Sequence, residues 1–159
     1  MCVVAIVDAD SFPVLASRKS EGDDLFLSWI HRRHGKLAIS DAGQYFKELS
    51  KNHAVMELIR RYGQGGQLRL IPADQLSVTD GQIEQTNHRS NDSHILSLAL
   101  ASNAKVLCSN DDDLRADFKN KDILPSMGRQ RRLLYPFAGS RKQRREFLNR
   151  QRCPDRQGK

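Results

Sequence analysis

The sequence contains no apolar run approaching the length of a membrane span, which excludes a spanning helix. Its N-terminus lacks the basic-then-apolar pattern of a secretion signal, and MCVVAIVDAD reads instead as a buried strand. The three cysteines, Cys2, Cys108 and Cys153, form no CxxC motif and no Cys/His zinc spacing. Cys2 and Cys108 sit in strand-like apolar runs, where a free thiol behaves as a small hydrophobe. The expectation is therefore unpaired thiols and a reducing cytoplasm. Internal repeats and low-complexity linkers are also missing, so 159 residues are expected to build one α/β core. The hydrophobic share, 38%, is below the globular average and implies that part of the chain stands outside that core.

Charge locates that part. Residues 129–159 carry 11 Lys/Arg against Glu146 and Asp155, a balance of +9. Residues 1–128 carry 15 Lys/Arg against 17 acids, a balance of −2. A mildly acidic body (1–128) followed by a strongly basic end (129–159) points to a polyanionic partner for that end, or to a tail that merely keeps the chain soluble. The folded domain is expected over 1–138 and the basic tail over 139–159. Arg141, Lys142, Arg144 and Arg145 fall within one predicted helix, 141–152, and are its candidate phosphate contacts.

Strands and helices alternate along the body. The apolar run Val3–Val7 predicts a strand buried on both faces of a parallel sheet. After a turn and short helix to Ser20, residues 22–34 read as an amphipathic helix stopped by Gly35. Lys36–Ser40 is a second strand, and Asp41 can cap one long helix to about Tyr62, with Tyr45, Leu49, Met56 and Ile59 as its apolar stripe. Leu68–Ile71 is a third strand, followed from Pro72 by a weaker helix interrupted at Gly81. Ser90 or Asn91 can cap a helix that is apolar almost all round and so internal. Lys105–Ser109 is a fourth strand, Asp111–Phe118 a short helix, and Leu133–Tyr135 an edge strand. This pattern predicts a layered α/β fold with a mainly parallel sheet.

Active sites of open parallel sheets gather outside the carboxyl ends of the strands. Asp8 and Asp10 follow the first strand there, and Asp111, Asp112 and Asp113 follow the fourth. Asp92 opens the internal helix, where the helix dipole favours a carboxylate. Carboxylates that meet repel one another unless a cation neutralises them, and all-oxygen donors select Mg²⁺ or Mn²⁺ over zinc. Each acid also has a plainer use. Asp112 reads as a solvated helix-start acid, Asp10 as a cap, and Asp92 as a first-turn acid, whereas Asp8, after five apolar residues, has no such role. His94 is either structural or a phosphate neighbour, and Arg89 either greets a phosphate or decorates a loop.

These residues resemble the PIN-domain nucleases over about residues 3–125. The motifs that carry the likeness are VVAIVDAD, AGQYFKEL, RSNDSHILSLALA and LCSNDDDL, with the D-x-x-L-x-x-D-F-K-N turn after them. The resemblance implies a PIN-like three-layer α/β/α sandwich. It implies a four-carboxylate Mg²⁺ or Mn²⁺ site of Asp8, Glu48, Asp92 and Asp111, with Asp113 as accessory ligand, that hydrolyses RNA endonucleolytically. Glu48 owes its place to the resemblance alone; by itself it reads as a surface glutamate. DNA is the other candidate substrate, an antitoxin-like protein and a second copy are the implied partners, and the residue at Asp10 departs from the Asn or hydroxyl residue common in that family. Two rivals remain. A haloacid-dehalogenase-like phosphatase would use Asp8 as nucleophile and Asp10 as acid/base, but no Lys stands between Lys51 and Lys105 to serve it. A catalytically dead nucleic-acid-binding module would lack one of the four acids, and all four are present.

Overall fold

The computed structural model describes residues 2–20, 24–125, 127–128 and 130–154 of the chain. Among these, β1 (Val4–Val7) leads through α1 (Ser11–Ser20) and α2 (Leu25–His31) to β2 (Lys36–Ser40). Then come α3 (Gly43–Leu49), α4 (His53–Gly65), β3 (Leu68–Ile71), α5 (Ala73–Glu84) and α6 (Ser93–Ser102). The last elements are β4 (Val106–Cys108), α7 (Asp112–Lys119), β5 (Leu133–Leu134) and α8 (Arg141–Arg150). The strands form one sheet in the order β3-β2-β1-β4-β5, and every pairing is parallel. One helix group joins α1, α2, α4 and α8, and the other joins α3, α5 and α7 around α6. The three-layer α/β/α arrangement read from the sequence is the one observed.

The order of strands fixes where a site can form. From β1 the chain builds outward to β2 and β3, then crosses to β4 on the other side of β1. The carboxyl ends of β1 and β4 thus flank the switch point, where neighbouring connections diverge and leave a crevice. β1 and β4 are buried because both faces are covered, which is why their sequences are continuous apolar runs. α6 lies against β1, β2 and β3 as well as three helices, so Ile95, Leu96, Leu98 and Ala99 are all buried.

Four local expectations are corrected. The long helix from Asp41 is two helices, because the Asn52 side chain accepts from Val55 N at 3.1 Å and starts a new one. α3 begins at Ala42 with no side-chain cap, and Asp41 is exposed. The helix predicted over 22–34 is described from Leu25, its N-cap being Asp24, while Gly22 lies outside the described residues. The α6 cap position belongs to Asp92 rather than Ser90 or Asn91.

The cysteines are the fourth. Cys2 and Cys153 are joined by a disulfide across Cα atoms 4.3 Å apart, and Cys108 alone is free and buried. Cys2 precedes β1, and the chain after α8 is drawn beside it by two bonds: Trp29 Nε1 donates to the Gln151 carbonyl, and Cys153 N donates to the His34 carbonyl at 2.7 Å. The expectation that all three thiols are unpaired, and with it the cysteine ground for a reducing compartment, is therefore corrected. Among the described residues, no helix is long and apolar enough to cross a membrane. Gly35 matters to the same corner, since a Cβ there would lie 1.9 Å from the Trp29 ring.

α8 is packed rather than loose. It lies on α2, with Leu148 buried and Phe147 edge-on to Tyr135. Arg144 is buried at 6% exposure, unlike Arg141, Lys142 and Arg145.

Asp24 carries a testable cost. Its Oδ1 caps α2 by accepting from Leu27 N at 2.8 Å, while its buried Oδ2 has no hydrogen-bond partner. Burial pushes its pKa from 3.8 up to about 6, against the cap and two arginines. A folded pKa above the unfolded one means that stability present at acid pH is lost as pH rises from about 4 through about 6. Asp24→Asn keeps the cap acceptor without the charge. It is expected to gain about 2–3 kcal/mol at about pH 8 and almost nothing at about pH 4. Urea melts of the two proteins at both pH values check this, and equal stabilities throughout would remove Asp24 from the account.

Candidate active site

Asp8 leaves β1 at the switch point and is 6% exposed. Both of its oxygens are engaged. Oδ1 accepts from Ser11 N at 2.7 Å, tying the acid to the start of α1, and Oδ2 accepts from the Ser109 hydroxyl. Ser109 stands directly after β4, and its Oγ also accepts from Asp111 N at 3.0 Å. One small hydroxyl thus links the acid after β1 to the acid after β4. Beneath it, the Tyr45 hydroxyl donates to the Val7 carbonyl, and burial, with the Asp8 charge next, pushes that phenol far up.

Asp92 sits at the N-cap of α6 but its side chain makes no capping bond. The Ser90 hydroxyl takes over that local work by accepting from Asp92 N at 2.9 Å. The freed carboxyl is raised above its usual pKa of 3.8 by partial burial. His94 opposes the rise, and the negative charges of Asp111, Asp8 and Glu48 add to it. Asp92 thus lies within electrostatic reach of acids from three other segments.

Glu48, on α3, is reached by His94 from α6. His94 Nε2 lies 3.3 Å from Glu48 Oε2 and 4.0 Å from Asp92 Oδ1, yet is aligned for a hydrogen bond with neither. Glu48 Oε1 accepts from Gln44 Nε2 at 3.1 Å. Asp111 is the N-cap of α7, its Oδ1 accepting from Leu114 N at 2.9 Å, which leaves Oδ2 uncommitted. Asp112 and Asp113 are exposed in the first turn of α7, and Asp10 is exposed beside Asp8. The Arg89 side chain is exposed at the entry to α6.

The donor set is hard oxygen throughout, which fits Mg²⁺ or Mn²⁺ in kind. As the side chains stand, no three His, Cys, Asp or Glu groups among the described residues are gathered closely enough to hold a metal ion. Asp92 and Asp111 are the open members, with Asp92 34% exposed in its side chain.

Two supports are not among the site residues expected from the sequence. Ser109 is one, and its only signal is a hydroxyl residue between the strand and the acids. Asp117 is the other: 2% exposed on α7, it accepts from Arg89 N at 3.0 Å and Ser90 N at 2.8 Å. It fastens the loop that delivers Asp92 to the helix that follows Asp111.

No family model matches the chain, and no curated protein does. Among solved structures the chain is similar to the crystal structure of VapBC2 from Rickettsia felis bound to a DNA fragment from their promoter. The identity is 18%, covering 72% of this chain and 92% of that one, with a TM-score of 0.44.

Proposed function

We propose that this chain is a divalent-metal-dependent nuclease of the PIN type that hydrolyses phosphodiester bonds in RNA. Asp8, Asp92 and Asp111 are the proposed ligands of Mg²⁺ or Mn²⁺, with Asp113 accessory and Glu48 orienting the attacking water. What carries the proposal is geometry at the switch point of a parallel sheet: the Ser109 hydroxyl bonds both Asp8 and the Asp111 backbone, and His94 Nε2 lies 3.3 Å from Glu48 and 4.0 Å from Asp92. Carboxylates drawn together at such a point cost free energy unless a cation offsets them. The half-exposed Asp92 and exposed Asp111 can turn inward, while the Ser109 and Ser11 bonds hold Asp8 fixed. A bound divalent ion supplies Lewis-acid stabilisation of the phosphate and eases deprotonation of water.

The chain's own part is positioning. Glu48 and His94 face one another across the crevice, so a proton taken up at Glu48 has an imidazole 3.3 Å away. Exposed Arg89, Arg141, Lys142 and Arg145 are the proposed phosphate contacts, whereas buried Arg144 supports α8. A phosphatase using Asp8 as nucleophile fits less well, since it leaves Asp92 and His94 without a task and no Lys stands between Lys51 and Lys105. An antitoxin-like protein and a second copy remain the partners proposed from the sequence resemblance.

The test is a panel of RNA and DNA oligonucleotides incubated with the full chain and Mn²⁺, with and without chelator. RNA cleavage that stops on chelation is the expected result. Cleavage that survives chelation overturns the mechanism, and cleavage of DNA alone overturns the substrate.

A further inference from the structure

The carboxylates occupy one end of the sheet; the other end carries the opposite charge. Three depressions of about 660, 720 and 330 Å³ run side by side past the amino ends of the strands. The first two share Cys2, Lys36 and Pro154, and the last two share Met127 and Gln130, so they adjoin in a row, here called the trough. Among the described residues, ten lysines and arginines line it, and no aspartate or glutamate does. Among the same residues none of the ten is in an ion pair.

The backbone explains the gathering. Lys36 N donates to the Val3 carbonyl and Lys105 N to the Val4 carbonyl, so these lysines flank the first residues of β1. With strands about 4.8 Å apart, their backbones stand about 10 Å from one another. Arg33 precedes β2, and Arg69 projects from β3 at the sheet edge. Arg152 is held in the trough by the Cys2–Cys153 bond beside it, and Lys121 lies at the far end. Lys119 donates to the Arg132 carbonyl and Arg132 to the Ala104 carbonyl, and most of the other cations are left to solvent or to an anion that bridges them.

We infer that this trough binds the sugar-phosphate backbone of a nucleic acid at a site separate from the carboxylate crevice. The inference does not rest on the nuclease reading. A small anion needs one convergent cradle, whereas these cations are spread along a line that crosses the sheet. A membrane surface calls for projecting cations and apolar neighbours, but the trough is concave, and of the exposed large hydrophobics Leu70 alone stands beside a trough cation, Arg69. A polymer with one charge per nucleotide matches a row of cations and is read by them without regard to sequence. Asp8 lies four steps along the chain from Val4, about 13 Å at strand rise, so a phosphate in the trough is at least about two nucleotides from the crevice.

The test uses the full chain in chelator, so that no strand is cut, with a fluorescent 20-nucleotide RNA as probe. Two variants are compared with the parent: Lys36→Glu with Lys105→Glu, and Arg33→Glu, Arg69→Glu with Lys121→Glu at exposed positions. Binding weakened at least about tenfold is the expected result, with the log–log salt slope flattened by about 0.7 for each phosphate no longer neutralised. Parental affinity and slope in the folded variants overturn the inference. So does unchanged RNA binding alongside lost binding to phosphatidylserine vesicles or polyglutamate, which would assign the trough to a membrane or an acidic protein. If the lysine pair fails to fold, the exposed triple variant decides alone.

Discussion

An Asp92→Asn variant is expected to lose phosphodiester cleavage by about 10³-fold while melting no lower than the parent. The two effects have opposite origins. Asp92 is proposed to hold the metal, and an amide in its place is neutral and a poor ligand. In the resting fold the same carboxyl is a liability, because partial burial and the Asp111, Asp8 and Glu48 charges raise its pKa. A raised folded pKa means stability that falls as pH rises past the normal carboxylate range, so removing the charge relieves the fold at neutral pH. Nor does a cap depend on it, since the Asp92 side chain makes none. Cleavage rates at saturating Mn²⁺ and thermal melts settle the matter together. A variant that cuts at the parental rate eliminates Asp92 from the site, and one that loses both activity and melting temperature gives it a structural role. Asp8→Asn makes the harsher companion, because Asn can still accept from Ser11 N but offers the Ser109 hydroxyl an N–H in place of an oxygen.

Reduction of the Cys2–Cys153 bond is expected to lower stability by up to about 5 kcal/mol, or about 10–20 °C in melting temperature. The bond spans 151 residues, nearly the whole chain, and a closed loop of that length removes much of the unfolded ensemble's freedom. It also anchors the strand that every other strand brackets. Melts with and without reductant give the size, and Cys153→Ser gives the control, because reductant should then have no further effect. Equal melting temperatures in oxidised and reduced protein would show that the Trp29 and His34 bonds hold the chain end by themselves.

The strands were legible because doubly covered parallel strands are continuous apolar runs, as in Val4–Val7 and Val106–Cys108. The internal helix was legible for the same reason. The acids stood out because each follows such a run or opens a helix. What stayed hidden depended on single side chains choosing between roles. Asn52 could have continued a helix but caps one, and Asp111 both caps α7 and belongs to the acidic group. The disulfide joins the two ends of the chain, a pairing no local pattern encodes. The basic trough was the least visible feature. Its members come from Arg32 to Arg152, whereas along the sequence the densest charge lies in the last helix. Only the parallel sheet, which brings every strand's beginning to one end, collects them.

The same sheet order has a consequence for how the protein is made. Of the five strands, the one made first becomes the centre of the sheet. β2 can cover one side of it after some 30 residues, but its other edge waits for Val106–Cys108. Until then a wholly apolar strand presents an open row of backbone donors and acceptors, the kind of edge that captures foreign strands. A nascent chain halted before residue 106 is thus an aggregation hazard, and a chaperone that recognises VVAIV has its work set by the distance between β1 and β4.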